Sequence, residues 1–337
     1  MTELNDRQYT FIQKIAVVQP DGKKLDVLPD SVISCHIIEN ANMNGTQLIL
    51  KLNDPSGQYR DNYNIKYRTE LEITYGDVLN TERSEMAIDS FIVMLPTSEN
   101  NQMKIEGLQK TCHQLKQPAS RPRFFTNKTP NQIISALVPG IKLDIDNLGP
   151  GTYHLNAGAN TSRLIRNMAR DYGCIAYYCR GTLYFKQISK LFNTTPLYTF
   201  ESGNNKASLP IQRYTFIDEQ YLYDRLLDRT FVQWDTENGM MYSSDSGDDR
   251  FGSVLVTTGT TTALDSQGTA IIPVMTLELF GLAQLVPGVL GNVVISVSQS
   301  EKVLDETHPE KQLLNKVVHY TKGCNYSCVI ETGIPNV

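Results

Sequence analysis

Between Thr10 and Leu108 apolar and polar residues alternate in short runs broken by turn residues, which is the period-two pattern of strands that bury one face. Phe11 to Val18 predicts a first strand, closed by Pro20-Asp21-Gly22. Val32 to Glu39 predicts the next, Asn44-Gly45 is a hairpin signal, and Gln47 to Leu52 sets Leu48, Leu50 and Leu52 on one face. Asp54-Pro55-Ser56-Gly57 reads as a turn, Glu70 to Tyr75 as an alternating strand before Gly76-Asp77, and Met86 to Met94 and Met103 to Leu108 as two more strands. No comparable helix is expected in this part, so the pattern is that of a barrel or sandwich.

The period then changes. Thr129-Pro130 is a helix start, with a capping hydroxyl and a proline where no N–H is needed. Ile133, Ile134 and Leu137 share the face that follows, and Pro139-Gly140 stops it. A second helix is predicted from Thr161 to Tyr172, with Leu164, Ile165, Met168, Ala169 and Tyr172 in one stripe and Arg163, Arg166 and Arg170 mostly off it. Gly173 ends it, and Cys174 to Cys179, Arg180-Gly181 and Thr182 to Phe185 read as a tight hairpin. The stretch from Thr129 to Phe185 is therefore expected to be a packed module. Its predicted core is Ile133, Ile134, Leu137, Leu164, Ile165, Met168, Tyr172, Tyr177 and Phe185.

Residues 109–128 read as a polar crossing and Leu191 to Gln212 as irregular. Tyr214 to Thr230 fits either a short helix, through Tyr221, Leu222, Arg225, Leu226 and Arg229, or strands. Phe231 to Trp234 and Met240 to Tyr242 predict a hairpin, while Ser243 to Asp249 and Thr257 to Gly268 have loop composition. Strand patterns return at Ala270 to Phe280, Val293 to Val297, Lys316 to Tyr320 and Tyr326 to Thr332. The uncharged run from Phe280 to Val297 is long enough for a membrane span, but Gly281, Pro287, Gly288, Gly291 and Asn292 break it, so strand, turn, strand is expected and no membrane segment. Phe91 to Met94 followed by Met103 to Glu106 is echoed by Val317 to Tyr320 followed by Tyr326 to Glu331. Such an echo suits a chain with two similar β portions.

A chain of 337 residues with 40% hydrophobic content predicts more than one core. Its net charge of −5 argues against nucleic acid held through a basic footprint, although nucleic acid could pass by unheld. The polar start from Met1 to Gln13 shows no signal-peptide pattern, so synthesis in a reducing cytoplasm is expected, with the six cysteines as buried thiols. Only Cys324 and Cys328 approach metal-ligand spacing, without a second close pair. Asp245 to Asp249 lacks the alternation of a calcium loop. The histidines His36, His113, His154, His308 and His319 stand beside no nucleophile signature, and no phosphate-cradling glycine motif occurs. The expectation is a non-enzyme without catalytic, cofactor or metal site.

The order of elements carries a resemblance. A β domain, then Thr129-Pro130-x-x-Ile133-Ile134, then Thr161-x-x-Leu164-Ile165-x-x-Met168-Ala169-x-Asp171-x-Gly173 entering the hairpin that ends Leu183-Tyr184-Phe185, resembles the baseplate hub proteins of contractile phage tails. The same module is similar to the N-terminal part of type VI secretion spike proteins and to late-control tail proteins. Leu50 to Pro55, Tyr75-Gly76-Asp77, Val286-Pro287-Gly288 and Val317-Val318-His319 before Tyr326 fit the same resemblance. It implies a β-rich α+β fold of two tube-like β-barrel domains joined by a small α/β module, divided as 1–115, 116–190 and 191–337. It further implies a homotrimer whose barrels make a ring of six similar units, adapting a sixfold tail tube to a threefold central spike around a channel for DNA. The implied partners are the spike, tail tube or tube-initiator proteins, baseplate wedge proteins and the tape-measure protein, and the implied location is the virion tail, assembled in the host cytoplasm. No lysozyme-like insertion, β-helix repeat or peptidoglycan-binding module is visible, so lytic activity is expected on another polypeptide. The alternatives are a hub of a bacterial contractile injection system and a cell-wall-binding or hydrolytic tail component.

Overall fold

The computed structural model describes residues 11–76, 86–204, 206–217, 229–243, 252–258, 263–298, 303–304 and 308–336. Seven antiparallel strands form the N-terminal part: β1 (Ile12–Val18), β2 (Lys24–Asp26), β3 (Val32–Asn40), β4 (Gln47–Asn53), β5 (Glu70–Tyr75), β6 (Ala87–Glu99) and β7 (Gln102–Gln109). Their lateral order is β3-β4-β7-β6-β5-β1-β2. Alternation places Cys35, Ile37, Leu48, Leu50, Leu52, Leu71, Ile73 and Tyr75 in one buried cluster with Phe91, Val93, Met103 and Ile105. A short helix, α1 (Gln58–Asp61), lies between β4 and β5 and adds Tyr59 to this cluster. Among the described residues no pairing joins β2 to β3, so the sheet has two separate ends.

The central part runs α2 (Lys110–Leu115), β8 (Arg123–Lys128), α3 (Pro130–Leu137), β9 (Lys142–Ile145), β10 (Gly151–Leu155), α4 (Thr161–Asp171), β11 (Cys174–Cys179), β12 (Thr182–Gln187) and α5 (Ile188–Phe192). Thr129 caps α3 through a full capping box, its hydroxyl accepting from Gln132 N while the Gln132 side chain accepts from Thr129 N. Asn160 caps α4 by accepting from Arg163 N at 2.9 Å. The sheet is ordered β11-β12-β9, with β8 and β10 forming a separate pair. The polar crossing at 109–128 thus contains both a helix and a strand. Helix α2 escapes the periodic reading because six residues give it only two buried positions, Cys112 and Leu115.

The C-terminal part contains β13 (Tyr198–Ser202), β14 (Pro210–Phe216), β15 (Thr230–Asp235), β16 (Gly239–Tyr242), β17 (Ser253–Leu255), β18 (Ile271–Phe280), β19 (Leu290–Val294), β20 (Ser296–Ser298), β21 (Val303–Leu304), β22 (Lys311–Lys322) and β23 (Asn325–Pro335). Six of these close a barrel in the order β19-β13-β14-β18-β23-β22, and β22 returns to β19 through Leu290↔Leu313, Gly291↔Gln312 and Asn292↔Lys311. Phe200, Met275, Leu277, Leu285, Leu314, Val317 and Ile330 fill it. Gly291 is required there, because a Cβ would sit 2.6 Å from the Phe200 ring. The region around Tyr198, irregular by sequence, is a strand paired in parallel on both sides. Tyr221 to Leu226 and Asp245 to Asp249 lie outside the described residues. β15, β16 and β17 form a separate three-stranded sheet.

Among the described residues closure concerns this barrel alone. The N-terminal strands are instead continuous with it, since β22 pairs with β3 from Lys316↔Asn40 to Thr321↔Cys35, making one sheet of 13 strands. The two echoed stretches of the sequence are the hairpins β6–β7 and β22–β23.

Candidate functional site where three units meet

Strand β11 is buried along its whole length, and its two faces serve different neighbours. Cys174, Ala176 and Tyr178 point into the module core. Ile175, Tyr177 and Cys179 join Ala41, Leu290 and Leu313 in a second cluster against the barrel. Of the nine core residues read from the sequence, Ile133, Ile134, Leu164, Ile165, Met168 and Phe185 are buried together in the module cluster, and Leu137 and Tyr172 pack half-buried against it. Tyr177 belongs to the other face: its ring stacks on Tyr184 at 4.8 Å and rests on Gly288. A Cβ at Gly288 would lie 2.0 Å from the Tyr177 hydroxyl oxygen, and its φ of +80° is a glycine conformation. That contact seats the module hairpin on the barrel loop containing Val286-Pro287-Gly288.

The tip of the same hairpin is charged. Arg180 and Gly181 both have positive φ, 44° and 85°, as a two-residue turn between twisted strands requires. The turn projects Arg180 toward β3, where its guanidinium donates Nε to Glu39 Oε1 at 2.9 Å and Nη2 to Glu39 Oε2 at 3.1 Å. Two further N–H groups reach the barrel loop, Nη1 to Ala283 O at 2.8 Å and Nη2 to Leu285 O at 3.2 Å. From β22, His319 Nε2 stands 3.4 Å from Glu39 Oε2 and 3.1 Å from Leu285 O, and Nδ1 lies 2.7 Å from the Tyr326 hydroxyl. Phe11 of the N-terminal part stacks on the His319 ring at 4.4 Å and on Tyr326 at 4.9 Å. One carboxylate therefore joins the N-terminal sheet, the module hairpin and the barrel.

Glu39 and His319 have fully buried side chains, and Arg180 is three-quarters buried. Burial alone would raise the Glu39 carboxyl, but Arg180 and His319 hold it at about 2. Burial alone would lower the His319 imidazole, but the Cys328 sulfur and the Glu39 carboxylate beside it bring it to about 9. Charged, the ring donates from both nitrogens, toward Leu285 O and Glu39 on one side and the Tyr326 hydroxyl on the other. His319 in turn pulls the buried Cys328 thiol below its usual range. A second buried polar group lies alongside: Tyr75 donates to Asp89 Oδ2 at 2.5 Å, and Gln109 Nε2 lies 3.2 Å from Asp89 Oδ1. Burial raises the Asp89 carboxyl.

This arrangement holds geometry through buried, mutually paired charges. Among the described residues no group of three or more His, Cys, Asp and Glu side chains could hold a metal, and Cys324 and Cys328 differ in setting, one exposed and one buried. This cluster is not brought together by sequence periodicity alone. Its signal was available: Glu39 follows Cys35 and Ile37 on one face of β3, and His319 follows Val317 on β22, so both interrupt faces that are otherwise buried. A charge at such a position demands a partner.

The fold so described is that of known phage tail proteins. The chain is similar to a tail protein from Neisseria meningitidis MC58, with a TM-score of 0.62 and 12% identity over 95% of this chain and 96% of that one. It is similar to the 43 kDa tail protein of prophage MuSo2 from Shewanella oneidensis, with a TM-score of 0.61 and 14% identity over 95% and 97%. A chain of the Francisella PdpA–VgrG complex matches 96% of this chain over 58% of its own length, with a TM-score of 0.52 and 11% identity. No protein-family model and no curated protein matches the sequence.

Proposed function

We propose that this protein is a structural baseplate hub of a contractile phage tail, acting as a homotrimeric ring rather than as an enzyme. The observation that carries the reading is the likeness of fold to two tail proteins, one of them from a prophage, over nearly the whole of both chains. In this reading residues 1–115, 116–190 and 191–337 are the three units, and the N-terminal sheet is the counterpart of the closed barrel, so three copies supply six similar units around a channel. The eight members of the apolar set from Ile133 to Phe185 that face the module core then fix the shape of the module, and Tyr177 and the Arg180–Glu39–His319 cluster fix its seat. The central spike is the expected partner on the threefold side, with tail tube or tube-initiator, wedge and tape-measure proteins as the others. A net charge of −5 suits a lumen through which DNA slides unheld. The virion tail is the expected location.

An exposed apolar face supports self-association. Trp234 pairs with Met240, and Val232 with Tyr242 and Leu255, so these residues share one side of the β15–β17 sheet. Trp234, Tyr242 and Leu255 are each more than 60% exposed. An assembly would bury that face. Light scattering should give three times the 37.9 kDa chain mass, and electron microscopy should show rings. Trp234→Asp with Leu255→Asp should reduce the species to a monomer of unchanged melting temperature. A wild-type monomer at high concentration would sink the proposal. A hub of a bacterial injection system is the second reading, favoured by the match to a chain of a complex containing VgrG. Neighbouring genes encoding tail-fibre and capsid proteins, or their absence, separate the two.

A further inference from the structure

A cleft of about 400 Å³ lies between β10 and α4, away from the three-unit junction. Five successive residues of and after β10, Thr152 to Asn156, line it. Successive residues of a strand point to opposite faces, so a cleft that touches all of them runs along the strand's edge. That edge is open: β10 pairs with β8 alone among the described residues. The opposite wall is the exposed ridge of α4, with Arg163, Asn167 and Arg170 at the i, i+4, i+7 spacing of one helix face. Among the described residues neither arginine has a carboxylate partner. The carboxylate that lines the cleft, Asp171, is buried and accepts from the Tyr153 hydroxyl at 3.0 Å and from Gln267 Nε2 at 2.9 Å. An acidic chain thus presents a local groove, also lined by Thr257 and Thr258, that among the described residues joins unpaired backbone groups to two guanidinium groups without a carboxylate partner.

We propose that this groove receives an extended acidic segment of a partner protein, which adds a strand to β10 and places its carboxylates on Arg163 and Arg170. Backbone pairing supplies affinity and the arginines supply selectivity for acid, as in other strand-addition sites. The two arginines stand about 10 Å apart along the helix axis, and carboxylates two residues apart on a strand are about 7 Å apart, a mismatch that the flexible arginine arms cover. Nucleic acid is the competing polyanion, since the exposed His154 ring lines the cleft and Phe124 stacks on it at 6.4 Å, and backbone protection at the open edge of β10 is what separates the two.

The probe is an octapeptide of alternating Glu and Val, titrated into the full chain at low salt and followed by calorimetry and amide hydrogen exchange. Saturable binding is expected, with slowed exchange at residues 152–156. Arg163→Glu with Arg170→Glu should weaken binding by about tenfold or more at an unchanged melting temperature. Should that pair lower the melting temperature, Arg163→Gln with Arg170→Gln replaces it and the same loss is expected. The proposal is overturned by no saturable binding, by equal affinity in the charge-altered variants, or by equal binding of the alternating Lys-Val octapeptide. Equal binding of a thymidine oligonucleotide without protection at 152–156 also overturns it, as a site for polyanions in general. Trimer formation is read separately by light scattering, so failure here leaves the hub reading standing.

Discussion

The central module makes two kinds of buried contact, and they differ in what they specify. Inward, α3, α4 and one face of β11 and β12 bury aliphatic and aromatic side chains that would pack together almost anywhere of the right volume. Outward, the hairpin tip offers one bidentate guanidinium that is satisfied only where Glu39, Ala283 O and Leu285 O converge. Inward apolar burial tells the module to fold; the ion pair, together with the Tyr177–Gly288 contact, tells it where to sit. Hydrophobic area is permissive about orientation, whereas a buried charge accepts a narrow range of positions, since each missed hydrogen bond leaves a desolvated group unpaired.

The contrast can be broken most severely from the inward side. Ile165→Asp buries an unpaired charge in the apolar cluster and should cost about 4–5 kcal/mol or more, read as loss of a cooperative transition in chemical denaturation. Arg180→Ala should cost about 3–5 kcal/mol because it strands Glu39. Arg180→Met combined with Glu39→Gln should recover much of that stability in the same denaturation assay. If the double variant is no better than the single, the pair is not what positions the hairpin.

The next effect is one of pH. The folded-state value of His319, about 9, lies above its unfolded value near 6.5, so its contribution is complete below pH 6.5 and is lost as pH rises through 9. The loss is on the order of 3 kcal/mol. Glu39, at about 2, contributes above its unfolded value near 4.5 and loses that contribution as pH falls through 2. The melting temperature should therefore fall between pH 6.5 and 9.5, and His319→Gln should flatten that alkaline limb. The smallest effect is expected at Gly288→Ala, about 1–3 kcal/mol, because the Tyr177 ring must shift and the residue must keep a positive φ. Limited proteolysis should then cut the hairpin region before the barrel.

What was legible in the sequence follows the same division. Helices α3 and α4 and the Arg180-Gly181 turn announce themselves through local caps, stripes and glycine positions, within a few residues of chain. The sequence pattern places Tyr177 in the module core, whereas it faces the barrel, because a strand pattern does not say which of two buried faces meets which neighbour. Strand β13 was missed because its pairing is parallel on both sides and joins segments far apart in the chain. The junction was missed for a like reason: Arg180 lies 141 residues from Glu39 and 139 from His319, and nothing local announces the meeting. Whether the N-terminal sheet closes is similarly invisible, since alternation fixes faces but not whether the end strands join.

The pairing of β3 with β22 also sets a timetable for the growing chain. Cys35 of β3 meets Thr321, so one edge of an apolar strand has no native partner until almost the whole polypeptide has left the ribosome. At synthesis rates of roughly 5–20 residues per second, that interval lasts between about a quarter of a minute and a minute. During it β3 is an unpaired edge beside a finished hydrophobic face, the condition that invites pairing with another nascent chain. Translation stalled before Lys311 should accordingly yield aggregates held by β3, and a chaperone that covers strand edges should be needed on the ribosome rather than after release.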